Sequence, residues 1–387
     1  MTTINIGIIG CGNRISGVAR ECARMDRGFR VVAVADPQGE ALRAKHPELL
    51  KDAVFHAGED GLLARKDLDG IMIGTRCLLH APMAVKAAKR GLPLFLEKPV
   101  AISMPQLRAL RNAFRRRGAP PVVVSFPLRV SPLVEKAKVI VDSGRLGTIE
   151  QLVAFNDVPY GDVYFGGWYR NWDEVGGLWL QKATHDLDYL AYLAGSKPKR
   201  VAAMNAQRVW GGTMPFGLRC RDCRKRKTCP ESPFNSRSMI APGARPGWRD
   251  WRLCVYAKGI RNEDMGACLI EYENGAQTVY HQNFFARRNA ARRGARLYGY
   301  RGTLEFDWYA GTLFIHWHHR AKTERVPLPG QDAHFGGDAV LCRNFVDVLE
   351  GRCAPRTPIA AGLESALTCL KARESSADGR FHLVRMP

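Results

Sequence analysis

The stretch INIGIIGCGNRISGVARECARM, residues 4–25, decides how the chain is read. Its apolar opening over Ile4–Ile9 predicts a buried strand, Gly10 and Gly12 predict a tight turn, and the pattern from Asn13 onward predicts a helix. A second apolar run, FRVVAVADP (29–37), ends on Asp36. The order is strand, helix, parallel strand. Gly10 permits the bend, and Gly12 lets a pyrophosphate approach the backbone where the amides of a helix N-terminus converge. Asp36, at the end of the second strand, is placed to accept hydrogen bonds from an adenosine ribose, which favours NAD over a 2′-phosphorylated cofactor. Ile15 stands where the usual fingerprint has its third glycine, and Arg14 in the same loop can contact a phosphate, so NADP stays open.

The alternation continues through LDGIMIGT (68–75), HAPMAVKAAKRG (80–91), LPLFLEKPVA (92–101) and PPVVVSF (120–126). It predicts an α/β fold with a doubly wound parallel sheet, whose ligand crevice lies beyond the carboxyl ends of its strands. Asp36, Thr75 and the triplet Glu97-Lys98-Pro99 fall at such ends. A chain of 387 residues exceeds what one core usually supports, so two domains are expected, a dinucleotide-binding domain over 1–125 and a second over 126–387. In the second, GACLIEYENGAQTVYHQNFFA (266–286), RLYGYRGTLEFDW (296–308) and GTLFIHWHHR (311–320) alternate apolar and polar residues around N-G and R-G turns, which predicts antiparallel strands. His316, His318 and His319 read as part of a strand face.

With 46% hydrophobic residues and no apolar run near the roughly 20 residues that span a bilayer, composition excludes a helical membrane protein. The N-terminus carries no basic, cleavable leader, and a cytoplasmic location is expected. Net charge is +21, from 58 Lys and Arg against 37 Asp and Glu, and would attract phosphorylated cofactors, acidic sugars or nucleic acid. The basic runs RNAFRRRG, RCRDCRKRK and ARRNAARRGAR read as solvated faces and loops.

Eleven cysteines without an export signal argue for reduced thiols. Cys220 and Cys223 in RCRDCRKRKTCP have the two-residue gap that lets two thiolates chelate one zinc, and Cys229 and Cys254 can complete four ligands. A structural zinc would give a core to the Pro-, Gly- and Arg-rich insertion at about 209–256. Four free thiols are the alternative.

GGLWLQKATHDLDYLAYLAG (176–195) sets Lys182, His185, Asp186 and Asp188 at the head of an apolar helical run. At helical spacing Gln181 shares a face with His185, and Lys182 lies beside it. The bland account of the two aspartates is interaction with the helix dipole. In VYFGGWYRNWDEVGG (163–177), Trp168, Tyr169 and Arg170 can stack on and fork a sugar, or simply pack the loop.

Taken in order, GIIGCGNR, VVAVADP, LHAPMAVKAAKRGLPLFLEKPVA, VSFPLRVSPLVEKAK, GRLGTIEQL, GGLWLQKATHDLDYLAYLAG and GGDAVLCRNFVDVLEG resemble the Gfo/Idh/MocA family of nicotinamide-dependent sugar oxidoreductases. The resemblance implies an N-terminal Rossmann domain and a C-terminal α/β domain with a large, mostly antiparallel sheet that commonly serves as an oligomer interface, hence a dimer or tetramer. It assigns Lys98 to a position between nicotinamide and substrate hydroxyl, and His185 to its catalytic partner. Where family members carry an acid four residues before the histidine, this chain has Gln181, which leaves two expectations: Asp188 assists His185, or Lys182 joins the catalytic group. A subgroup of the family shares the Lys-x-x-His-x-x-Asp pattern and a cysteine-bearing insertion. Cofactor contacts are then expected from Gly10, Gly12, Asn13, Arg14, Ile15, Asp36, Thr75, Arg76, His80, Glu97, Lys98 and Arg129. Substrate contacts are expected from Trp168, Tyr169, Arg170, Gln181 and His334.

The leading expectation is an NAD(P)-dependent dehydrogenase of a ring hydroxyl on a sugar, cyclitol or glycoside. The alternative is a glycosidase or lyase that uses NAD transiently, by oxidation, elimination and hydride return. A non-catalytic cofactor sensor or nucleic-acid binder that uses the basic cysteine loop is the third reading, and the loop offers it no recognition helix.

Overall fold

A computed structural model describes residues 3–235, 251–328 and 333–386. The N-terminal sheet is parallel, with strands β1 (Ile4–Ile9), β2 (Phe29–Ala35), β3 (Val54–His56), β4 (Gly70–Ile73), β5 (Leu94–Leu96) and β6 (Val122–Val124) in the order β3-β2-β1-β4-β5-β6. The order reverses at β1 and β4, the switch point where such sheets open a ligand crevice. Helix Asn13–Ala23 leaves the turn after β1 and packs on the sheet through Ile15, Val18, Ala19 and Cys22.

The missing third glycine has a structural substitute. That glycine usually permits close helix–strand packing. Here Ile15 fills the contact, and the space comes from Gly74 at the end of β4, where an added Cβ would lie 2.5 Å from the Ile15 Cβ. The small residue has moved to the opposite partner.

The second sheet has nine strands: β7 (Ile149–Asp157), β8 (Pro198–Ala206), β9 (Met265–Tyr272), β10 (Gln277–Asn283), β11 (Arg292–Gly299), β12 (Gly302–Asp307), β13 (Thr312–Trp317), β14 (Thr323–Arg325) and β15 (His382–Leu383). Their order is β14-β13-β12-β11-β7-β10-β9-β8-β15, with only the β7–β10 pair parallel. In β10, Thr278, Tyr280 and Gln282 are buried while Gln277, Val279 and His281 are exposed. That period of two means one face is covered and the other open. Helices Thr184–Ala194 and Ile359–Asp378 lie on the covered side. The two C-terminal helices diverge. Ile359–Asp378 packs along β8, whereas Gly337–Leu349 returns to the N-terminal domain and buries Leu341, Phe345 and Val346 beside Phe95 and Ile8. No described helix is long and apolar enough to cross a membrane.

The structure does not support the expected zinc site at Cys220, Cys223, Cys229 and Cys254. Among the described residues no group of three or more His, Cys, Asp or Glu is placed to hold a metal ion, and all four cysteines are free. Burial pushes the Cys220 thiol up to about 11 and raises Cys229 and Cys254, outweighing the nearby arginines that would ionise them. The described parts of the insertion, 209–235 and 251–256, are held by other contacts. Arg252, 0% exposed, donates from Nη1 to Asp162 at 2.6 Å and from Nε to the Glu231 carbonyl at 3.3 Å. Beside it Phe165, Trp210, Val255, Ala257, Ile260 and Phe284 form a separate apolar cluster. The insertion borrows that core from the loop after β7, which composition could not reveal.

Arg252→Ala is expected to cost about 3–5 kcal/mol, because it strands the buried Asp162 carboxylate and leaves Glu231 to Arg287 alone. Denaturant unfolding measures it, and an unchanged midpoint would refute this account of the insertion.

Candidate active site

At the end of β1, Gly10 adopts φ +76°, and a Cβ there would lie 2.7 Å from the Thr75 backbone. Gly12 caps helix Asn13–Ala23, and a Cβ added to it would meet nothing nearer than the Gly74 carbonyl at 4.0 Å. Glycine here leaves a bare helix N-terminus with room for a phosphate. Asp36 is fixed beside this turn, its carboxylate accepting the amides of Cys11 at 2.9 Å and Gln38 at 2.8 Å. The open helix start and the oriented carboxylate fit a dinucleotide.

Other predicted cofactor residues brace the crevice. Arg14 donates to Glu97 at 3.1 Å, to both Asp338 oxygens at 2.7 Å and to Ser125 at 3.1 Å. His80 spans the Pro99 carbonyl at 2.8 Å and the Thr75 carbonyl at 3.1 Å, tying two strand-end loops together, and burial depresses its pKa. The Asn13 side chain accepts from Lys45 at 2.6 Å. The Arg76 guanidinium lies 3.8 Å from the Trp168 ring, and Trp168 stacks on Tyr169 at 4.0 Å.

The catalytic candidates converge at a wide helical turn. Trp179–Ala183 is a π turn running into helix Thr184–Ala194. Its start is held by Glu263, which accepts the Trp179 amide at 2.7 Å, and its end by Ser365, which donates to the Thr184 carbonyl at 2.7 Å. Into this turn reaches Lys98 from the first domain, donating from Nζ to the Gln181 carbonyl at 2.7 Å. Burial pushes the Lys98 ammonium down to about 8, with Lys182 and Arg14 adding in the same direction. The next residue, Lys182, is buried at 5% exposure and donates to the Tyr160 hydroxyl at 2.5 Å. Burial lowers its pKa against the pull of Tyr160. His185, 9% exposed, follows one turn on, with Phe126 edge-on at 6.2 Å.

The neighbouring carboxylates are engaged elsewhere. Asp186 takes Arg293 Nε at 2.9 Å and Nη2 at 3.0 Å, Asn156 at 2.8 Å and the Tyr280 hydroxyl at 3.0 Å. Asp188 holds Arg129 at 2.9 and 2.6 Å. The aspartate considered as an assistant to His185 and the arginine expected at the cofactor therefore meet each other. The Gln181 side chain accepts from the Cys77 thiol at 3.3 Å, and Arg170 is buried under the insertion, bonded to the Cys254 carbonyl at 3.3 Å. His334 lies in the short helical turn Ala333–Gly336, and its side chain falls outside the described residues. Sequence reasoning missed Tyr160, Arg293 and Asp338. Only the strand-end position of Tyr160, in VPYGD, offered a signal.

A parallel sheet with a glycine turn and a strand-end acid, facing a lysine-rich helical turn of a second domain, defines a dinucleotide-dependent oxidoreductase. Residues 4–126 match the oxidoreductase family with NAD-binding Rossmann fold, and residues 134–305 match the GFO/IDH/MocA C-terminal domain. The chain belongs to the Gfo/Idh/MocA family. It is 29% identical over 392 aligned positions to inositol 2-dehydrogenase of Ralstonia nicotianae, covering 100% of this chain and 98% of that one. It is 25% identical over 377 positions to YteT of Bacillus subtilis, covering 85% and 86% respectively. A levoglucosan dehydrogenase solved in complex with NADH shares the fold, with a TM-score of 0.78, 19% identity and full coverage of both chains.

Gly10→Ala is expected to lower stability by about 1–3 kcal/mol, since it forces a side chain into the left-handed region. Chemical unfolding reads the loss, and a stability equal to wild type would contradict the close approach to Thr75.

Proposed function

We propose that this protein oxidises a ring hydroxyl of a sugar, cyclitol or glycoside, with NAD as hydride acceptor. The observation that carries the reading is the hydrogen bond from Lys98, on the dinucleotide side, to the Gln181 carbonyl, in the turn that leads to Lys182 and His185. Gly10, Gly12 and Asp36 would hold the dinucleotide, and the fixed Asp36 carboxylate favours a ribose hydroxyl over a 2′-phosphate. Arg14, held by Glu97 and Asp338, is already neutralised, which supports NAD over NADP. When bound, the nicotinamide supplies the two-electron acceptor. Thr75 and Arg76 flank its crevice.

The protein's own residues handle the oxygen and the proton. A secondary alcohol that gives up hydride must lose its hydroxyl proton to a base within hydrogen-bond reach. His185 takes that proton in this reading, an imidazole being able to accept a proton at one ring nitrogen while the other stays bonded. The Lys98 ammonium holds the charge that develops on oxygen. Trp168 and Tyr169, stacked on each other under Arg76, offer an aromatic wall to a sugar face. The relatives named for inositol and levoglucosan support a polyhydroxylated ring as substrate. Met204, Leu269 and Val279, exposed on the second sheet, support its use as a homo-oligomer interface.

A panel of sugars, cyclitols and glycosides, followed for both NADH formation and glycoside cleavage, tests the reading. Net NADH is expected. Cleavage without it would establish the transient-oxidation chemistry instead, and no turnover of any member would remove the proposal. Lys98→Met should lower kcat by about 100- to 1000-fold. In wild type, kcat/KM should fall as pH rises through about 8, because the depressed pKa of Lys98 makes the ammonium dominant below that pH and scarce above it. The variant should lack this limb, and retention of the limb would assign it to another group.

A further inference from the structure

We propose that Tyr160, oriented and charge-balanced by Lys182, is a further catalytic acid–base residue of this site, accepting a proton from the substrate hydroxyl in its phenolate form. The inference rests on the dehydrogenase reading and adds a residue to its proton transfer.

Tyr160 lies just beyond β7, in the turn VPYGD. The turn is pinned by Gly161, whose backbone runs so close to Phe284 that an added Cβ would lie 1.8 Å from its carbonyl oxygen. Only glycine permits that approach, and it fixes where Tyr160 begins. The phenol oxygen meets Lys182 Nζ at 2.5 Å, while the residue as a whole remains 42% exposed. One end is gripped and the rest is open. Lys182 adjoins Gln181, whose carbonyl receives Lys98, so the phenol belongs to the same cluster as the lysine that meets the substrate oxygen.

Surrounding charge favours the phenolate. Burial opposes ionisation, but Lys182, Arg293 and Lys98 together outweigh it and bring the Tyr160 pKa down. Arg293 is held from behind by Asp186, and Tyr309 and Tyr164 are neutral neighbours whose own pKa values are raised. A lysine spent on a surface contact would not need burial. Here the ammonium is desolvated, and a nearby phenolate is the anion that stabilises it.

The substrate C–H bond breaks and its hydrogen leaves with both electrons as hydride to NAD, the O–H bond breaks with its proton going to the Tyr160 oxygen, and the carbonyl forms. The phenol then releases the proton towards solvent. His185 and Tyr160 thus offer two acceptors; Tyr160→Phe removes one and leaves the other, and His185→Ala does the reverse.

The first test needs no substrate. Near-ultraviolet phenolate absorbance is followed against pH in wild type and Tyr160→Phe, which loses a single oxygen and keeps the ring. The difference should show one phenol ionising below the ordinary value of about 10, and Lys182→Met should move it upward. The second test uses the panel member turned over fastest. Tyr160→Phe should lower kcat by about 100-fold or more with KM little changed. A Tyr160 that titrates with ordinary phenols, or a Tyr160→Phe enzyme with full kcat, overturns the proposal. If Lys98→Met is inactive while Tyr160→Phe is fully active, only the role of Tyr160 fails. If Lys98→Met keeps full activity, only the role of Lys98 fails; if wild type turns over no member of the panel, the dehydrogenase reading itself fails, and the titration still decides whether Tyr160 ionises as proposed.

Discussion

The hydrogen bond from Lys98 Nζ to the Gln181 carbonyl is the point through which the molecule's two halves become one site. It links the loop after β5, at the carboxyl edge of the parallel sheet, to a turn lying on the antiparallel sheet. A carbonyl is an undemanding partner for an ammonium, since it carries no formal charge to neutralise it. Lys98 is thereby oriented without being paired to a carboxylate at that atom, and burial can depress its pKa. A salt bridge in the same place would have held the proton more firmly and left less electrostatic capacity for a substrate oxygen.

Assignment of the buried carboxylates follows from this. Asp186 is bound by Arg293, Asp188 by Arg129, and Glu97 by Arg14. Each pair joins distant segments, and each satisfies a charge that would be costly to leave alone in the interior. Arginine, with its planar fork, takes the carboxylates in every case. The lysines at the centre, Lys98 and Lys182, are left to a carbonyl and a phenol, partners that can change protonation or exchange for substrate. The division between structural cations and working cations is therefore one of side-chain chemistry as well as position.

Much of this fold was legible in the sequence because it rests on short-range rules. The glycine turn, the strand-end Asp36 and the period-two strands at 266–286 depend on local periodicity and turn chemistry. Even the departure at Ile15 had a local cause, though its remedy at Gly74 lies on another strand. Lys98 and His185 were nominated by the order of motifs, and Lys98 meets the turn that leads to His185. What escaped depends on which side chain meets which across long stretches of chain. Spacing along a helix put Asp188 near His185, yet nothing in that spacing foretold that Arg129 would claim it. The cysteine spacing was a sound ligand pattern, but spacing alone does not fix ligand geometry: no metal-holding group is present among the described residues, and the buried Arg252 cluster supplies order there. Tyr160 carried no motif, because a phenol becomes chemically unusual only when a buried lysine is set against it.

The C-terminal helix Gly337–Leu349 completes the first domain's ligand loop. Asp338, at its start, grips the guanidinium of Arg14 with both oxygens. The same helix seals the sheet through Phe345 against Phe95, with ring centroids 5.5 Å apart. A dinucleotide site encoded almost entirely in the first hundred residues thus takes its final shape only when a segment more than three hundred residues away in sequence folds back onto it. Because that helix is followed by Ile359–Asp378, which bears Ser365 and its bond to Thr184, the same C-terminal stretch reaches both the glycine loop and the turn that carries Lys182. The relative placement of the glycine loop and the lysine-bearing turn is therefore set by contacts that run through the whole chain.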